Sequence, residues 1–311
     1  MGKTAFLFPG QGAQAVGMGK DLYDVGGNVG AIFEEADQVL GTSLTSLMFE
    51  GPSEDLTLTS NTQPALVTTA IAAFRLITER TDLKPDYVAG HSLGEYAALY
   101  AAGSLPAAEV LRLVRLRGEA MQEAVPVGVG AMAAMLNMKA EVVEEVCSAA
   151  SEKTGNICVP ANYNTSAQIV ISGHKDTVEQ AVALAKEKGA KRCVILPVSA
   201  PFHCSLMQPA AERMATALND VTISDPSVPV ICNVTADVET SGDALRTRLV
   251  DQVTGAVRWE DSMLKLRELG VDTFIELGTG RVLAGMMRRI DRKATMITIN
   301  GPQDLEKITA G

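Results

Sequence analysis

The amino-acid sequence predicts an α/β fold with a discontinuous larger domain and a smaller inserted subdomain. Short apolar strands alternate with amphipathic helices over most of the chain, which is typical of a parallel sheet covered by helices. In the middle of the chain the order changes to β-α-β-β-α-β, the pattern of a ferredoxin-like unit. A length of 311 residues suits about two domains. We therefore predict a larger domain of residues 1–126 and 198–311, interrupted by a subdomain of residues 127–197.

The elements of the first part are predicted from apolar runs and from the residues that end them. Thr4–Phe8 and Tyr87–Ala89 are short apolar runs, as in buried strands. Pro64–Glu79 has apolar residues at helical spacing, so we predict a helix there. Glu95–Ala102 and Ala107–Ala124 are predicted helices that end at a glycine and before a proline. The second strand therefore runs through a turn directly into a helix.

The inserted segment and the last third of the chain are predicted in the same way. The inserted unit consists of Gly130–Leu136, Lys139–Lys153, Ile157–Tyr163, Gln168–Ile171, Thr177–Lys188 and Arg192–Leu196. Helices and strands then alternate again at Cys204–Leu218, Val230–Asn233, Ala244–Val253, Trp259–Leu269, Thr273–Glu276 and Arg281–Ile290. The last third is thus expected to complete the sheet that the first part begins.

Charge and composition exclude several classes of protein. Lys and Arg total 27 against 37 for Asp and Glu, a net charge of −10, whereas nucleic acid binding needs a basic surface. No apolar run reaches the roughly 18 residues of a membrane helix, and no leader-like stretch opens the sequence. The five cysteines form no Cys-x-x-Cys pair, which disfavours a zinc site and fits reduced thiols. We expect a cytoplasmic protein without a metal, a membrane or a nucleic acid partner.

Gly90-His91-Ser92-Leu93-Gly94 lies between a predicted strand and a predicted helix. This spacing is that of a nucleophile elbow, in which the glycines leave room for a sharp turn that exposes the serine Oγ. The amide of Leu93 then points towards the position of a developing oxyanion. A plain strand–helix turn with Ser92 as the N-cap is the alternative. The context favours Ser92 as a nucleophile and an α/β-hydrolase-like core.

A nucleophilic serine needs a base, and the chain has three histidines. His91 adjoins Ser92, so the two side chains diverge, and we expect the imidazole to pack beneath the turn. His174 lies in a polar turn and is expected on the surface. His203 lies in a proline-stiffened segment that returns to the larger domain, so by elimination it is the predicted base. The alternative is that His203 caps the next helix, and Cys204 is expected to be buried and inert.

The loop after the first strand contains Pro9-Gly10-Gln11-Gly12 and has more than one interpretation. Gly10, Gly12 and Ala15 give a degenerate dinucleotide fingerprint, but no strand ending in an acid follows at the expected distance. Alternatively, the amides of the loop face the serine turn, as does the second oxyanion donor of hydrolase-like sites. The third possibility is an ordinary glycine-rich turn.

Taken together, these segments resemble the malonyl-CoA:acyl-carrier-protein transacylases of type II fatty acid synthesis. The resemblance covers nearly the whole chain. The segments that carry it are Phe8–Gly12, Gly90–Tyr96, Leu116–Gly118, Met121-Gln122, Gly130–Met132, Asn162–Asn164, Pro197–Ser199 with His203, Gly242-Asp243 and Glu276–Gly278. So many matches in order are more specific than the serine motif alone.

The resemblance implies a ping-pong acyl transfer. Ser92 is expected to attack the malonyl thioester of coenzyme A, with His203 as general base and the amides of Gln11 and Leu93 as the oxyanion hole. Members of this family orient the histidine with a backbone carbonyl instead of an aspartate, and Gln252 is the matching position. The malonyl group then passes to the phosphopantetheine thiol of acyl carrier protein, and no bound cofactor is implied.

The resemblance also implies three substrate contacts. Arg117 matches the arginine that holds the free malonyl carboxylate, and a guanidinium suits this role because it can form two charge-assisted hydrogen bonds with a carboxylate. From its spacing alone, Arg117 would be expected to be a solvated arginine. Phe202 resembles the malonyl-selecting form of its segment, in which a ring crowds an α-methyl group. Asn162, in another matching segment, is the third predicted contact.

The predicted partners are malonyl-CoA and acyl carrier protein, and the enzyme is expected to be a monomer. Because carrier proteins in this setting are acidic, docking needs a local basic patch. The two candidate clusters are Lys186, Lys188, Lys191 and Arg192, and Arg281, Arg288, Arg289, Arg292 and Lys293. The alternatives for function are a malonyl transferase of polyketide synthesis, a serine hydrolase and a non-catalytic binding module.

Overall fold

A computed structural model describes residues 2–198 and 200–309 of the chain. Within these residues it has a main sheet of six strands and a small sheet of four. In chain order the strands are β1 (Lys3–Phe8), β2 (Tyr87–Gly90), β3 (Gly130–Leu136), β4 (Cys158–Thr165), β5 (Gln168–His174), β6 (Arg192–Ile195), β7 (Val230–Cys232), β8 (Asp237–Glu239), β9 (Val271–Leu277) and β10 (Thr295–Ile299).

Helices of very different length cover the two sheets. In chain order they are α1 (Lys20–Tyr23), α2 (Gly27–Leu40), α3 (Leu44–Glu50), α4 (Ser53–Thr57), α5 (Thr59–Arg80), α6 (Gly94–Ala101), α7 (Ala107–Glu123), α8 (Ala140–Thr154), α9 (Lys175–Glu187), α10 (Gln208–Asn219), α11 (Gly242–Thr254), α12 (Trp259–Glu268), α13 (Val282–Ile290) and α14 (Glu306–Thr309). Short 3₁₀ turns lie at Ser205–Met207 and Pro302–Leu305. No helix in the described part of the chain is long and apolar enough to cross a membrane.

The strands of the main sheet lie in the order β10-β9-β1-β2-β7-β8. All neighbours are parallel except the pair β7 and β8, which is antiparallel. Strand β1 lies between β2 and β9, so the first and last parts of the chain form one sheet. This arrangement confirms the predicted parallel sheet, and it puts the carboxyl ends of β1 and β2 at the same edge.

Strand β1 shows why the main sheet is covered on both faces. Its apolar residues alternate between two cores: Phe6 and Phe8 pack with the helices on one face, and Ala5 and Leu7 pack on the other. The first core contains α5, α6 and α7, whereas the second contains α12 and α13. A continuous apolar run is typical of such a doubly covered parallel strand.

The small sheet has the order β4-β5-β3-β6, and all of its pairs are antiparallel. Helices α8 and α9 cover one face, where Met135 and Ile171 are buried. On the other face Met132 and Val170 pack with Phe202, which also contacts the core of the main sheet. The ferredoxin-like β-α-β-β-α-β prediction is therefore confirmed. The domain boundaries at residues 127 and 197 stay a prediction.

Several elements differ from those predicted. No sequence pattern predicted helices α1 to α4 or strands β8 and β10. Helix α5 begins at Thr59, five residues before the predicted start at Pro64. Proline is common in the first turn because it lacks a donor there. Here Pro64 lies inside the helix, where it removes one backbone hydrogen bond. Burial of the helical residues on both sides of Pro64 offsets this loss.

Candidate active site

Ser92 lies on a strained turn between β2 and α6. Its φ is +49°, a backbone conformation that few side chains adopt. A Cβ atom added to Gly90 would lie 1.9 Å from the carbonyl carbon of Gly94, and one added to Gly94 would lie 2.0 Å from the oxygen of Phe8. The two glycines are therefore needed for close backbone contacts, as the Gly-x-Ser-x-Gly spacing predicts.

The Ser92 hydroxyl faces the ring of His203. Ser92 Oγ is 2.8 Å from His203 Nε2, and the other ring nitrogen, Nδ1, is 2.9 Å from the carbonyl oxygen of Gln252 and 3.1 Å from that of Gly255. Because carbonyl oxygens only accept, Nδ1 carries the proton and Nε2 is free to accept from the serine. The structure thus brings Ser92, His203 and the Gln252 carbonyl together in one chain of hydrogen bonds.

The environment of His203 keeps its ring neutral. Burial and the positive charge of Arg117 together lower the pKa of His203 to about 3, although the bonds to the Gln252 and Gly255 carbonyls oppose this change. A neutral imidazole at neutral pH can accept a proton, which is the state that a general base needs.

Arg117 is a buried cation next to the nucleophile, with only 1% of its surface exposed. Its Nη1 donates to Gln63 Oε1 at 3.0 Å, and its Nη2 donates to Gln252 Oε1 at 3.0 Å and to Ser92 Oγ at 3.1 Å. These partners are neutral, and within the described residues its Nε has no acceptor at all. A buried charge with neutral partners favours an anionic ligand.

A second layer of polar side chains holds the serine turn, and the sequence analysis missed most of it. Asn233 Oδ1 accepts from the Ser92 amide at 2.6 Å, and its Nδ2 donates to the Gly90 carbonyl at 2.6 Å. The Gln252 side chain donates through Nε2 to the Ser92 carbonyl at 3.0 Å and to Glu95 Oε2 at 3.1 Å. Glu95 Oε2 also accepts from the Asn233 amide at 2.9 Å.

A cavity of about 610 Å³ opens above Ser92 between the two sheets. Gln11 and Leu93 lie on the main-sheet side, and Phe202 and Asn162 lie on the small-sheet side. Helix α13 adds a third wall through Val282, Leu283 and Met286. All predicted site residues except Gln252 line this cavity, and Gln252 lies directly behind them.

In the described part of the chain, the side chains of His91, His174 and Cys204 make no hydrogen bond with Ser92 or His203. His91 packs at 5.3 Å from the Trp259 ring and contacts Asn164 through Nε2 at 2.8 Å. His174 Nδ1 accepts from a backbone amide of the small-sheet region. Burial raises the pKa of the Cys204 thiol, so it is a poor nucleophile. Ser199, part of a matching segment, lies outside the described residues.

No group of metal-binding side chains is present among the described residues. The Pro9–Gly12 loop packs against the serine turn, since a Cβ added to Gly10 would lie 2.6 Å from the His91 carbonyl oxygen. This close contact agrees with the interpretation in which the loop faces the turn.

Comparisons with known proteins identify the family. Residues 5–298 match the acyl transferase domain model. The malonyl CoA-acyl carrier protein transacylase of Bacillus subtilis is 50% identical over 306 residues, covering 98% of this chain and 96% of that protein. The crystal structure of the acyl-carrier-protein-S-malonyltransferase from Bartonella henselae has a TM-score of 0.95 at 45% identity, covering 99% of this chain and 98% of its own.

A second similar structure holds a malonyl-transacylase in complex with a type II PKS acyl-carrier protein. Its TM-score is 0.95 at 41% identity, and the match covers 98% of both chains. Because the family model and these relatives extend over almost the whole sequence, the chain belongs to the acyl transferase family, in the group of the malonyl CoA-acyl carrier protein transacylases.

Proposed function

We propose that the chain transfers a malonyl group from malonyl-CoA to the phosphopantetheine thiol of acyl carrier protein and so supplies malonyl carrier for fatty acid synthesis. One observation carries the proposal. Ser92 Oγ lies within hydrogen-bond distance of both a neutral base, His203 Nε2 at 2.8 Å, and a buried cation, Arg117 Nη2 at 3.1 Å. A nucleophile, its base and an anion site therefore meet at one oxygen atom.

In the first half-reaction Ser92 becomes acylated. His203 Nε2 takes the hydroxyl proton while Ser92 Oγ attacks the thioester carbonyl carbon of malonyl-CoA. The amides of Gln11 and Leu93 hold the negative oxygen of the tetrahedral intermediate. The C–S bond then breaks, and His203 returns the proton to the departing sulfur. Coenzyme A leaves as a thiol, and the malonyl group remains as an ester of Ser92.

In the second half-reaction the carrier thiol takes the place of coenzyme A. His203 accepts the thiol proton, the sulfur attacks the ester carbonyl, and the Ser92 oxygen leaves with the proton from His203. The Gln252 and Gly255 carbonyls keep Nδ1 protonated throughout, so the same ring nitrogen serves both steps. No metal or cofactor takes part in these steps.

Arg117 selects the acyl group by its charge. In a malonyl ester on Ser92 a single CH₂ group separates the free carboxylate from the ester carbonyl. The carboxylate is therefore within reach of the Arg117 guanidinium, which already contacts Ser92 Oγ. An acetyl group would leave the buried cation without an anionic partner. Phe202 and Asn162, on the opposite wall, define the space beside the α-carbon, and the Phe202 ring disfavours an α-methyl group.

Intact-mass measurements test this proposal. The purified protein is mixed separately with malonyl-CoA, methylmalonyl-CoA and acetyl-CoA, and the adduct is located by peptide mapping. We expect a malonyl adduct on Ser92 that acyl carrier protein removes. If water removed the adduct without a thiol acceptor as fast as acyl carrier protein does, the protein would instead be a serine hydrolase. A folded protein that forms no adduct would contradict the proposal.

Replacement of Arg117 with alanine is expected to reduce malonyl transfer selectively. Removal of one partner from a buried ion pair costs about 3–5 kcal/mol, which corresponds to a loss on the order of 10²–10³-fold in kcat/KM for malonyl-CoA. Acetyl transfer is measured in parallel on the same preparation and should fall much less. An equal loss for both substrates would contradict the carboxylate-binding role of Arg117.

We assign carrier docking to the C-terminal basic cluster of Arg281, Arg288, Arg289, Arg292 and Lys293. Helix α13, which forms one wall of the cavity, runs on into Arg288 and Arg289, and both side chains are exposed. In the other cluster Lys188 is already paired with Glu145 at 2.7 Å. A carrier bound on α13 could therefore deliver its thiol directly to the cavity.

Reversal of the charges of Arg288 and Arg289 with glutamate is expected to raise the KM for acyl carrier protein about tenfold, because rim charges steer acidic partners. Acylation by malonyl-CoA should be unchanged, because it does not involve the carrier. Lys188→Glu with Lys191→Glu is the matched pair of changes on the other cluster. A larger KM increase in that variant would move the docking site to the inserted segment.

We propose a cytoplasmic monomer, which size-exclusion chromatography with light scattering tests for the purified chain. One relative is bound to a polyketide carrier, so an acceptor from polyketide synthesis is the second candidate. Transfer rates to fatty acid and polyketide carriers under identical conditions distinguish the two.

A further inference from the structure

Glu95 is a carboxyl group that lies fully inside the protein, on the first turn of α6. Its Oε2 accepts two hydrogen bonds, from the Asn233 amide at 2.9 Å and from Gln252 Nε2 at 3.1 Å. Its Oε1 is buried and has no hydrogen-bond partner within the residues that the structure describes. A buried oxygen without a partner costs more free energy on an ionised carboxylate than on a neutral carboxyl group, so this environment favours the protonated form.

Glu95 and Arg117 share one hydrogen-bond partner, Gln252. The Gln252 side chain donates to Glu95 Oε2 from Nε2 and accepts from Arg117 Nη2 with Oε1 at 3.0 Å. Glu95 is thus a buried acid that favours the charged form of the otherwise unpaired Arg117. A malonyl carboxylate bound to Arg117 would add a second negative charge to a region with a single buried cation.

We propose that Glu95 takes up a proton when the malonyl carboxylate binds Arg117, so that the buried site holds one negative charge at a time. The proton comes from solvent, and the carboxylate of Glu95 becomes a neutral carboxyl group. This role is one of positioning and charge balance, since Glu95 acts on the substrate through Gln252 and Arg117. The inference rests on the proposed malonyl transfer.

The electrostatics of the free site support this proposal. Burial raises the pKa of Glu95 to about 7, whereas its hydrogen bonds and the charge of Arg117 act in the opposite direction. Pairing of Arg117 with a substrate carboxylate offsets this lowering influence, so the pKa of Glu95 rises further and a proton is bound. The other ionisable groups that interact with Glu95 are Tyr96 on its own helix and Cys232 on β7.

Protonation of Glu95 makes substrate selection depend on pH. Above pH 7 the ionised Glu95 must first be protonated before a malonyl group is accommodated, so the KM for malonyl-CoA should rise with pH, up to tenfold per pH unit. Acetyl-CoA brings no carboxylate, and its KM should not show this rise. The ratio of malonyl to acetyl transfer is therefore expected to fall as the pH increases from 7 to 8.5.

Proton uptake on acylation tests the proposal with the unmodified enzyme. Protein in weak buffer with an indicator dye at pH 7 is mixed with excess malonyl-CoA, and the proton change is compared with the adduct measured by mass. Acylation itself is nearly proton-neutral, because coenzyme A leaves as a thiol. We expect about half a proton taken up per malonyl adduct, since a group with a pKa of about 7 is half ionised at pH 7.

Acetyl-CoA and Glu95→Gln are the controls. Acetyl adduct formation should be accompanied by no uptake, and the glutamine variant, which keeps the size of the side chain, should show none with either substrate. Equal proton changes for malonyl and acetyl adducts in the unmodified enzyme would overturn the inference, whether or not the variant folds. A malonyl adduct without uptake would overturn it while leaving the proposed function intact, whereas no adduct at all would contradict the function itself.

Discussion

Replacement of Ser92 with alanine is expected to abolish the acyl-enzyme and to reduce malonyl transfer by a factor on the order of 10⁶. The side chain supplies the only oxygen that contacts both His203 Nε2 and Arg117 Nη2 within the described residues. Without it His203 has no hydroxyl proton to accept, and the carrier thiol would have to attack malonyl-CoA directly. Intact mass and transfer to acyl carrier protein are the two measurements.

Ser205→Ala is the matched control for that variant. Ser205 is exposed and lies two residues after His203, so the change removes a nearby hydroxyl without touching the cavity. We expect full adduct formation from the control and none from Ser92→Ala. A malonyl adduct on the Ser92→Ala protein, located on any other side chain, would remove Ser92 from the proposed role of nucleophile.

Replacement of His203 with alanine is expected to cause a loss of similar size, on the order of 10⁵–10⁶-fold in kcat/KM, because serine and base act as a unit. The serine hydroxyl would keep its hydrogen bond from Arg117, which stabilises the oxygen but accepts no proton. For the same reason the double variant with Ser92→Ala should be no slower than either single variant.

His174→Ala is the matched histidine control, since His174 lies at the end of β5 in the small sheet. Its transfer rate should stay within about twofold of the unmodified enzyme, as is usual for changes away from a site. Single-turnover acylation by malonyl-CoA reports the loss directly, without the carrier step. If His203→Ala acylated as fast as His174→Ala, another group would have to be the base.

Local patterns carried most of the correct sequence inferences. The turn at Ser92 depends on two glycines next to it in the chain, so its geometry follows from five consecutive residues. Ala5, Phe6 and Leu7 form an apolar run without a polar residue, which indicates a strand that is covered on both faces. In the structure, Phe6 packs in the core on one face of the sheet, and Ala5 and Leu7 pack in the core on the other. Elements with a clear apolar period were predicted with small errors at their ends.

Groups that act across long distances in the chain could not be predicted in this way. Asn233 and Gln63 are far from Ser92 and Arg117 in the chain, and only the fold brings each of them into hydrogen-bond contact with one of these residues. Helices α1 to α4 were missed for a different reason. Helix α2, for example, follows Gly26, and glycine is typical of loops. In the structure Gly26 has a positive φ and is the residue directly before the helix.

The central position of β1 has a consequence for synthesis of the protein in the cell. The strand at Lys3–Phe8 pairs with β2 on one side and with β9, at Val271–Leu277, on the other. At about 5–20 residues per second, a ribosome needs roughly 15–50 s between the two. Throughout that time at least one edge of this apolar strand has no partner in its own chain, and it can pair with other unfinished chains. Translation that stops before β9 therefore leaves a fragment in which one edge of β1 is unpaired, and this fragment is prone to aggregation.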